Sequence, residues 1–330
     1  GDVKRAVVVG AGFIGLEVAE NLASKGIRVS VIDMAPQIMP PFDPEMAGYV
    51  ENKLADHGIM CFTGTALEGI EGKDGKVARV LTSRKGMKAD LAVLAIGIRA
   101  NTAFLADSGI ELMPNRTVKV NEYLQTNDED IYAIGDCACV ANRETGKPQW
   151  SPMGSSANIE GRIVAQNLVG RKIAYPGVLG TGVCKLPELN VGRTGLGEAD
   201  AKEAGYDVVT ALSVVDDKAH YYPGAGSFII KMLADKTSRK FLGLQVIGKG
   251  AVDKVVDIAV TAISLGATVD QLENLDFAYA PPFSTAIHPF GHALNILLNK
   301  MSGAFETFTP TEYQAGAADG YRVLDASPVP

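Results

Sequence analysis

The feature that most constrains this 330-residue chain lies near its start, where K-R-A-V-V-V at residues 4–9 runs directly into Gly10-Ala11-Gly12-Phe13-Ile14-Gly15. The following stretch, L-E-V-A-E-N-L-A-S-K-G, has the spacing of an amphipathic helix closing at Gly26. A second strand, R-V-S-V-I-D, then ends at Asp33, eighteen residues beyond Gly15. Three glycines in this pattern say little alone. Inside a complete strand, turn, helix and strand with an acid at this distance, they specify a dinucleotide-binding unit.

Each residue has a physical job in such a Rossmann-like fold. Gly10 permits the tight turn, Gly12 lets backbone approach a pyrophosphate, and Gly15 lets helix and strand lie close. The helix N-terminus, at Phe13 and Ile14, offers free N–H groups to the anion. Asp33 can accept from ribose hydroxyls and would repel a 2′-phosphate, and Met34-Ala35-Pro36 supplies no arginine to hold one. NADH is therefore expected over NADPH. The alternative is a glycine turn that binds no nucleotide.

A helix is expected over 44–57, then strands in G-I-M-C-F-T-G-T-A-L-E-G-I and a hairpin around Lys73-Asp74-Gly75. The run A-D-L-A-V-L-A-I-G reads as a buried parallel strand ending at Gly97 beside the nucleotide crevice. This places the NAD-binding domain at 1–97.

Composition narrows the class. A formal net charge of −7, without clustered Lys and Arg, argues against a nucleic-acid partner. No apolar run approaches the roughly 18 to 20 residues that cross a bilayer, and G-D-V-K-R-A-V-V-V lacks a signal-peptide core, so no membrane role and a cytoplasmic location are expected. Cysteines stand at 61, 137, 139 and 184 without a C-x-x-C pair, and buried reduced thiols are expected. His288 and His292 with these cysteines match no zinc spacing, so no metal is expected.

The chain resembles the flavin-linked pyridine nucleotide-disulfide reductases. Beyond the glycine turn, the resemblance is carried by I-Y-A-I-G-D at 131–136 and by P-M-G-S-S-A-N-I-E-G-R-I-V-A-Q-N-L from Pro152. It is also carried by His220-Tyr221-Tyr222-Pro223-Gly224-Ala225 and Tyr279-Ala280-Pro281-Pro282-Phe283-Ser284, which look like motifs of the coenzyme A-disulfide reductase, NADH oxidase and polysulfide reductase subgroup.

The resemblance implies an α/β chain with a Rossmann-like NAD-binding domain, a partial flavin-binding domain at 98–174, an α+β dimerisation domain at 175–304 and a linker at 305–330. It implies FAD and NADH as cofactors. A strand through Gly135 would lead to Asp136, which would bond the flavin ribityl chain, and the helix N-terminus with Ala157 and Asn158 would approach the ring. Phe13 would cover the flavin until nicotinamide displaces it, and Glu17 would lie near the nicotinamide. Tyr221 and Tyr279 would act in a partner subunit's active site, unless they only pack a homodimer interface. The substrate would be a small-molecule disulfide, persulfide or polysulfide such as coenzyme A disulfide. An NADH oxidase or peroxidase and a dimeric NAD-binding module without turnover are the rivals.

The chain departs from that pattern in two respects. No upstream glycine turn for the flavin's ADP and no early redox cysteine are present, so a fragment lacking an amino-terminal flavin segment is expected, with little NADH-driven disulfide reductase activity by itself. Phe283-Ser284-Thr285-Ala286-Ile287-His288-Pro289 replaces the subgroup's Y-S-S-A-K-D run, and His288 also invites comparison with the acid-base histidine of glutathione-reductase-like enzymes. Short strands are expected over 178–247, with helices at 251–265, 270–276 and 289–301 whose domain leaves an apolar face for a partner copy. Gly320-Tyr321-Arg322-Val323-Leu324-Asp325 resembles the opening strand of a rhodanese-like domain.

Overall fold

The computed structural model describes residues 3–322 and 324. The first unit contains β1 (Arg5–Val9), α1 (Phe13–Ala23), β2 (Arg28–Ile32), α2 (Pro44–Asp56) and β3 (Ile59–Phe62). It continues through β4 (Leu67–Lys73), β5 (Lys76–Thr82), β6 (Met87–Lys88) and β7 (Leu91–Leu94). Strands β3, β2, β1 and β7 form a parallel sheet in that order, and β4 to β6 form a separate antiparallel sheet. The valines of β1 explain its central place. Val8 packs among the residues of α1 and α2, whereas Val7 and Val9 pack with Ile32, Val80 and Ala89 on the other face. A strand covered on both sides has to be apolar at every position.

The strand expected to be buried through Gly97 is shorter and more exposed than its sequence predicts. It stops at Leu94, and Leu94 and Ile96 are 55% and 70% exposed. As the edge strand, β7 pairs only with β1 in this sheet.

The middle of the chain holds β8 (Val118–Lys119), β9 (Ala138–Ala141), β10 (Pro148–Gln149) and α3 (Gly154–Leu168). The apolar run before Gly135 also departs from the strand its sequence predicts. Residues 131–134 are not a strand, because Tyr132 forms only an isolated bridge with Gln125. A 3-10 turn occupies Gly135–Cys137, and the strand follows it, since β9 finds partners in both β8 and β10.

The remainder builds a five-stranded antiparallel sheet from β11 (Gly182–Leu186), β12 (Leu189–Gly195), β13 (Val208–Asp216), β14 (Ser227–Asp235) and β15 (Phe241–Gly248), with α4 (Glu198–Glu203) after β12. One face is covered by α5 (Val252–Ser264), α6 (Val269–Leu272) and α7 (Pro289–Ser302). Cys184, Leu186, Val191 and Ile247 of this sheet join the core of α1 and α2. Both sheet faces are thus covered within the chain. Apolar residues still lie exposed on this domain, among them Leu275, Tyr279, Phe283 and Ile287 in the segment after α6.

Helix α6 is shorter than expected and begins at the Thr268 and Gln271 capping box. An unexpected helix, α8 (Pro310–Gln314), starts at a Thr309 and Glu312 capping box with Pro310 in its first turn. Val323 and Asp325 of the rhodanese-like run lie outside the described residues.

A buried charge joins the first unit to the last. Lys231 of β14 has no exposed surface, and its Nζ lies 2.7 Å from Asp43, 2.6 Å from Glu45 and 2.8 Å from Glu198. It donates hydrogen bonds to the two glutamates and forms a close ion pair with Asp43. Burial alone would lower the lysine's pKa; Asp43, Glu198 and Glu45 outweigh it and hold the pKa above its ordinary value.

Candidate functional site

Gly10, with φ +109°, holds the turn after β1. A Cβ there would meet the Ala95 oxygen at 2.2 Å, and a Cβ on Gly15 would meet the Gly10 oxygen at 1.9 Å. Both positions admit only glycine. A Cβ on Gly12 would face open space, with nothing within 4 Å. Helix α1 starts there without a side-chain cap or an acidic residue in its first turn, so its leading amides are open to an anion.

Asp33 ties the turn together. Its two carboxylate oxygens accept from Ala11 N at 2.6 Å and Ala35 N at 2.8 Å. Each retains a lone pair for a further donor such as a ribose hydroxyl. Gly97, with φ +92°, is exposed just beyond β7. The carboxyl ends of β1 and β7 therefore flank a crevice where the sheet order reverses. The glycine cradle, open amides and half-exposed acid fit a dinucleotide.

Ile14, expected at the helix N-terminus facing the anion, is 63% exposed. Phe13 is half-buried, its ring 6.0 Å from Phe42 and against Gly182, where a Cβ would meet it at 2.8 Å. Glu17 is exposed and accepts from Lys185 N at 3.3 Å. The structure thus gives Phe13 and Glu17 contacts to β11.

A second glycine-centred site forms where α3 meets the turn at Gly135, whose φ is +71°. A Cβ on Gly135 would lie 3.4 Å from Ala157 Cβ. Asp136 and Asn158 are exposed, and Trp150 Nε1 donates to the Asp136 carbonyl at 2.9 Å. Helix α3 also begins without a side-chain cap or acidic first turn. This turn, packed closely on Ala157 of α3 and bearing the exposed Asp136, fits a polar cofactor chain such as that of a flavin.

Sequence reasoning missed the residue that holds this turn. Glu160, 2% exposed, accepts from Gly135 N at 2.6 Å. Burial pushes its pKa up, only partly offset by the Gly135 N–H and by Tyr175. Burial, with Glu160 next, pushes Tyr175 up to about 12. A glutamate within N-I-E-G-R gives no local signal that it will be buried.

Tyr221 (69% exposed) stands between β13 and β14, edge-on to His220, and Tyr279 (52% exposed) between α6 and α7. His288 is no free acid-base group. It is 5% exposed, stacks on Phe277, and caps α7 by accepting from Phe290 N through Nδ1. Burial, then Lys254, lowers its pKa to about 4.

The four cysteines are free thiols, with Cys139 and Cys184 buried and Cys61 and Cys137 half-buried. Burial pushes Cys61 up to about 12 and raises Cys139 and Cys184, the latter helped by Glu17. Among the described residues no cluster of three or more His, Cys, Asp or Glu is arranged to hold a metal, and no helix is long and apolar enough to cross a membrane.

These units define a dinucleotide-binding protein whose second glycine site adjoins an antiparallel sheet domain. A family model for pyridine nucleotide-disulphide oxidoreductases matches residues 1–158, and the model of that family's dimerisation domain matches residues 183–289. The chain is 35% identical over 288 residues to an NAD(P)H sulfur oxidoreductase (CoA-dependent) of Pyrococcus furiosus, covering 87% of this chain and 64% of that protein.

Two solved structures are similar. An NAD-dependent persulfide reductase from A. fulgidus has a TM-score of 0.89 and 40% identity, over 94% of this chain and 58% of that one. A FAD-dependent pyridine nucleotide-disulphide oxidoreductase from Desulfovibrio vulgaris has a TM-score of 0.74 and 32% identity, over 91% of this chain and 72% of that one. The chain belongs to the pyridine nucleotide-disulphide oxidoreductase family, whose members work with FAD and NAD(P)H. It spans 64% of the length of the Pyrococcus furiosus relative.

Proposed function

We propose that the protein is an oxidoreductase that uses NADH, through FAD, to reduce a small disulfide, persulfide or polysulfide such as coenzyme A disulfide. The observation that carries this reading is the crevice at β1 and β7, where Gly10 and Gly15 exclude side chains and Asp33 stands at the end of β2. The P. furiosus and A. fulgidus proteins, named for sulfur and persulfide chemistry, support the acceptor class.

Gly12 and the α1 amides bind the pyrophosphate, and Asp33 takes the adenosine ribose and disfavours a 2′-phosphate. Asp136, Ala157 and Asn158 hold and flank the flavin, which when bound supplies the two-electron chemistry between nicotinamide and sulfur. Phe13 and Glu17 lie on the nicotinamide side, Ile14 belongs to the helix N-terminus that meets the pyrophosphate, and Gly97 stands at the crevice beyond β7. The acceptor needs a thiolate other than Cys61, Cys139 or Cys184, because burial keeps those thiols protonated at neutral pH.

The boundaries of the reading are an NAD-binding domain at 1–97, flavin-domain residues at 98–174 and a dimerisation domain at 175–304. The exposed Leu275, Tyr279, Phe283 and Ile287 support a homodimer in which Tyr221 and Tyr279 reach a partner's active site.

Calorimetry tests the nucleotide half: NADH binds, and NADPH binds at least about tenfold more weakly. Equal affinity for the two would overturn the role of Asp33. A flavin absorption band in the protein supplied with FAD tests the second site. Oxygen consumption by that protein with NADH, unaffected by added disulfide or polysulfide, would replace the reductase reading with the oxidase one.

A further inference from the structure

A cavity of about 590 Å³ lies between α2 and the five-stranded sheet, away from both glycine sites. Its floor continues the core shared by the two units. Leu189 and Ile247 are buried there and Ile229 is partly buried, but beyond them Val214 is left 71% exposed. The core runs out before the cleft closes. This leaves an apolar surface at the base of the β13–β14 hairpin that carries Tyr221.

The wall is of opposite character. Tyr49, Lys53 and His57 recur every four residues along α2, so they form one stripe facing the sheet. Lys249 stands across the cleft, after β15. His57 Nδ1 is 2.9 Å from the Lys53 carbonyl, to which it donates as the helix cap, and this leaves Nε2 for the cavity side. The acid among the lining residues, Glu188, is 3.0 Å from Lys249 and 3.9 Å from His57. Lys53 also pairs with Asp56 at 3.2 Å. Lys53, Lys249, Glu188 and Asp56 are all more than 40% exposed, and such surface pairs are weak enough to exchange for a better anion.

We propose that this cavity is a second ligand site, for an organic phosphate with an apolar body of about mononucleotide size. The volume is in the range of small-molecule sites and too large for one inorganic ion. Leu189, Ile229 and Val214 take the apolar body, the Tyr49 ring closes over it, and Lys53 and Lys249 hold the phosphate. A ligand there touches both the NAD-binding unit and the hairpin of Tyr221. This goes beyond the electron-transfer reading and does not depend on it.

The test uses the full chain with its dinucleotide crevice saturated by ADP-ribose. 1-Anilinonaphthalene-8-sulfonate, an apolar ring system with one anion, is the fluorescent probe, and hexyl phosphate is the competitor. The expected result is probe fluorescence that persists with ADP-ribose and is displaced by hexyl phosphate, but not by hexanol or inorganic phosphate at the same concentration. The double substitution Lys53→Glu and Lys249→Glu, at two exposed positions, should weaken hexyl phosphate by about tenfold or more and leave ADP-ribose affinity unchanged. Val214→Trp should block the probe in a chain that keeps its far-ultraviolet circular dichroism. Absence of probe binding, its loss on adding ADP-ribose, equal displacement by hexanol, or undiminished hexyl phosphate binding in the double variant would each overturn the site.

Discussion

The dinucleotide crevice and the Lys231 junction hold the same α1–α2 unit in opposite ways. In the crevice, small residues and backbone do the work: Gly10 and Gly15 leave no room for a side chain, and Asp33 spends two hydrogen bonds on neighbouring amides. At the junction, one buried cation is surrounded by three acids from α2, its N-terminal flank and α4. The crevice is a local device, because most of its parts lie between Gly10 and Asp33. The junction is a long-range device, with Lys231 and Glu45 separated by 186 positions. A local device positions a ligand, whereas a long-range one holds units together and is costly to break.

The largest expected effect follows from that contrast. Lys231→Met leaves the buried carboxylates of Asp43 and Glu45 without their cation and Glu198 with Lys202 alone, and should destabilise the fold by about 3 to 5 kcal/mol, measured by denaturant unfolding. NADH affinity of the folded fraction should stay within about twofold. Loss of binding in parallel with stability would show that the two regions act as one.

Gly15→Ala should do the reverse. Its Cβ would press on the Gly10 carbonyl, so NADH binding should fall by more than about tenfold, with a stability loss of about 1 to 3 kcal/mol. An alanine variant with full NADH affinity in calorimetry would sink the cradle.

On the proposed role of Asp33 at the adenosine ribose, Asp33→Ala removes a charge-assisted contact worth about 1.5 to 3 kcal/mol, so the NADH dissociation constant should rise about 10- to 100-fold. Asp33→Asn keeps an acceptor for the turn and should recover part of the loss.

The smallest effect at neutral pH belongs to His288. Its folded pKa is lowered to about 4, so the unfolded chain binds the proton first as pH falls below about 6.5. The stability gained from burying neutral His288 is therefore present above pH 6.5 and lost as pH drops through 4. His288→Asn, which keeps an acceptor for Phe290 N, should flatten that acid limb in thermal melts at pH 4 to 7. An unchanged limb would assign the acid sensitivity to other groups.

The crevice was legible because its constraints are written in residue types with few conformational alternatives, at fixed spacing. Helices α2, α5 and α7 were legible for a related reason, a sustained apolar period. Even α8 had its signal, Thr309-Pro310-Thr311-Glu312, although the Ala- and Gly-rich tail around it read as linker. The errors came where pairing decides. The apolar run 131–134 looks like a strand, but it finds one bridge partner, and the ladder forms instead at Ala138–Ala141.

By itself, then, the sequence determined the dinucleotide-binding unit, because a βαβ turn depends on neighbours along the chain. Only the tertiary structure decided that Glu160 holds the Gly135 turn, that His288 is a buried cap, and that Lys231 is a charged bolt between units. A glutamate, histidine or lysine is compatible with water or with a paired interior. Which environment it meets depends on residues tens to hundreds of positions away, brought close only when the sheets and helices pack.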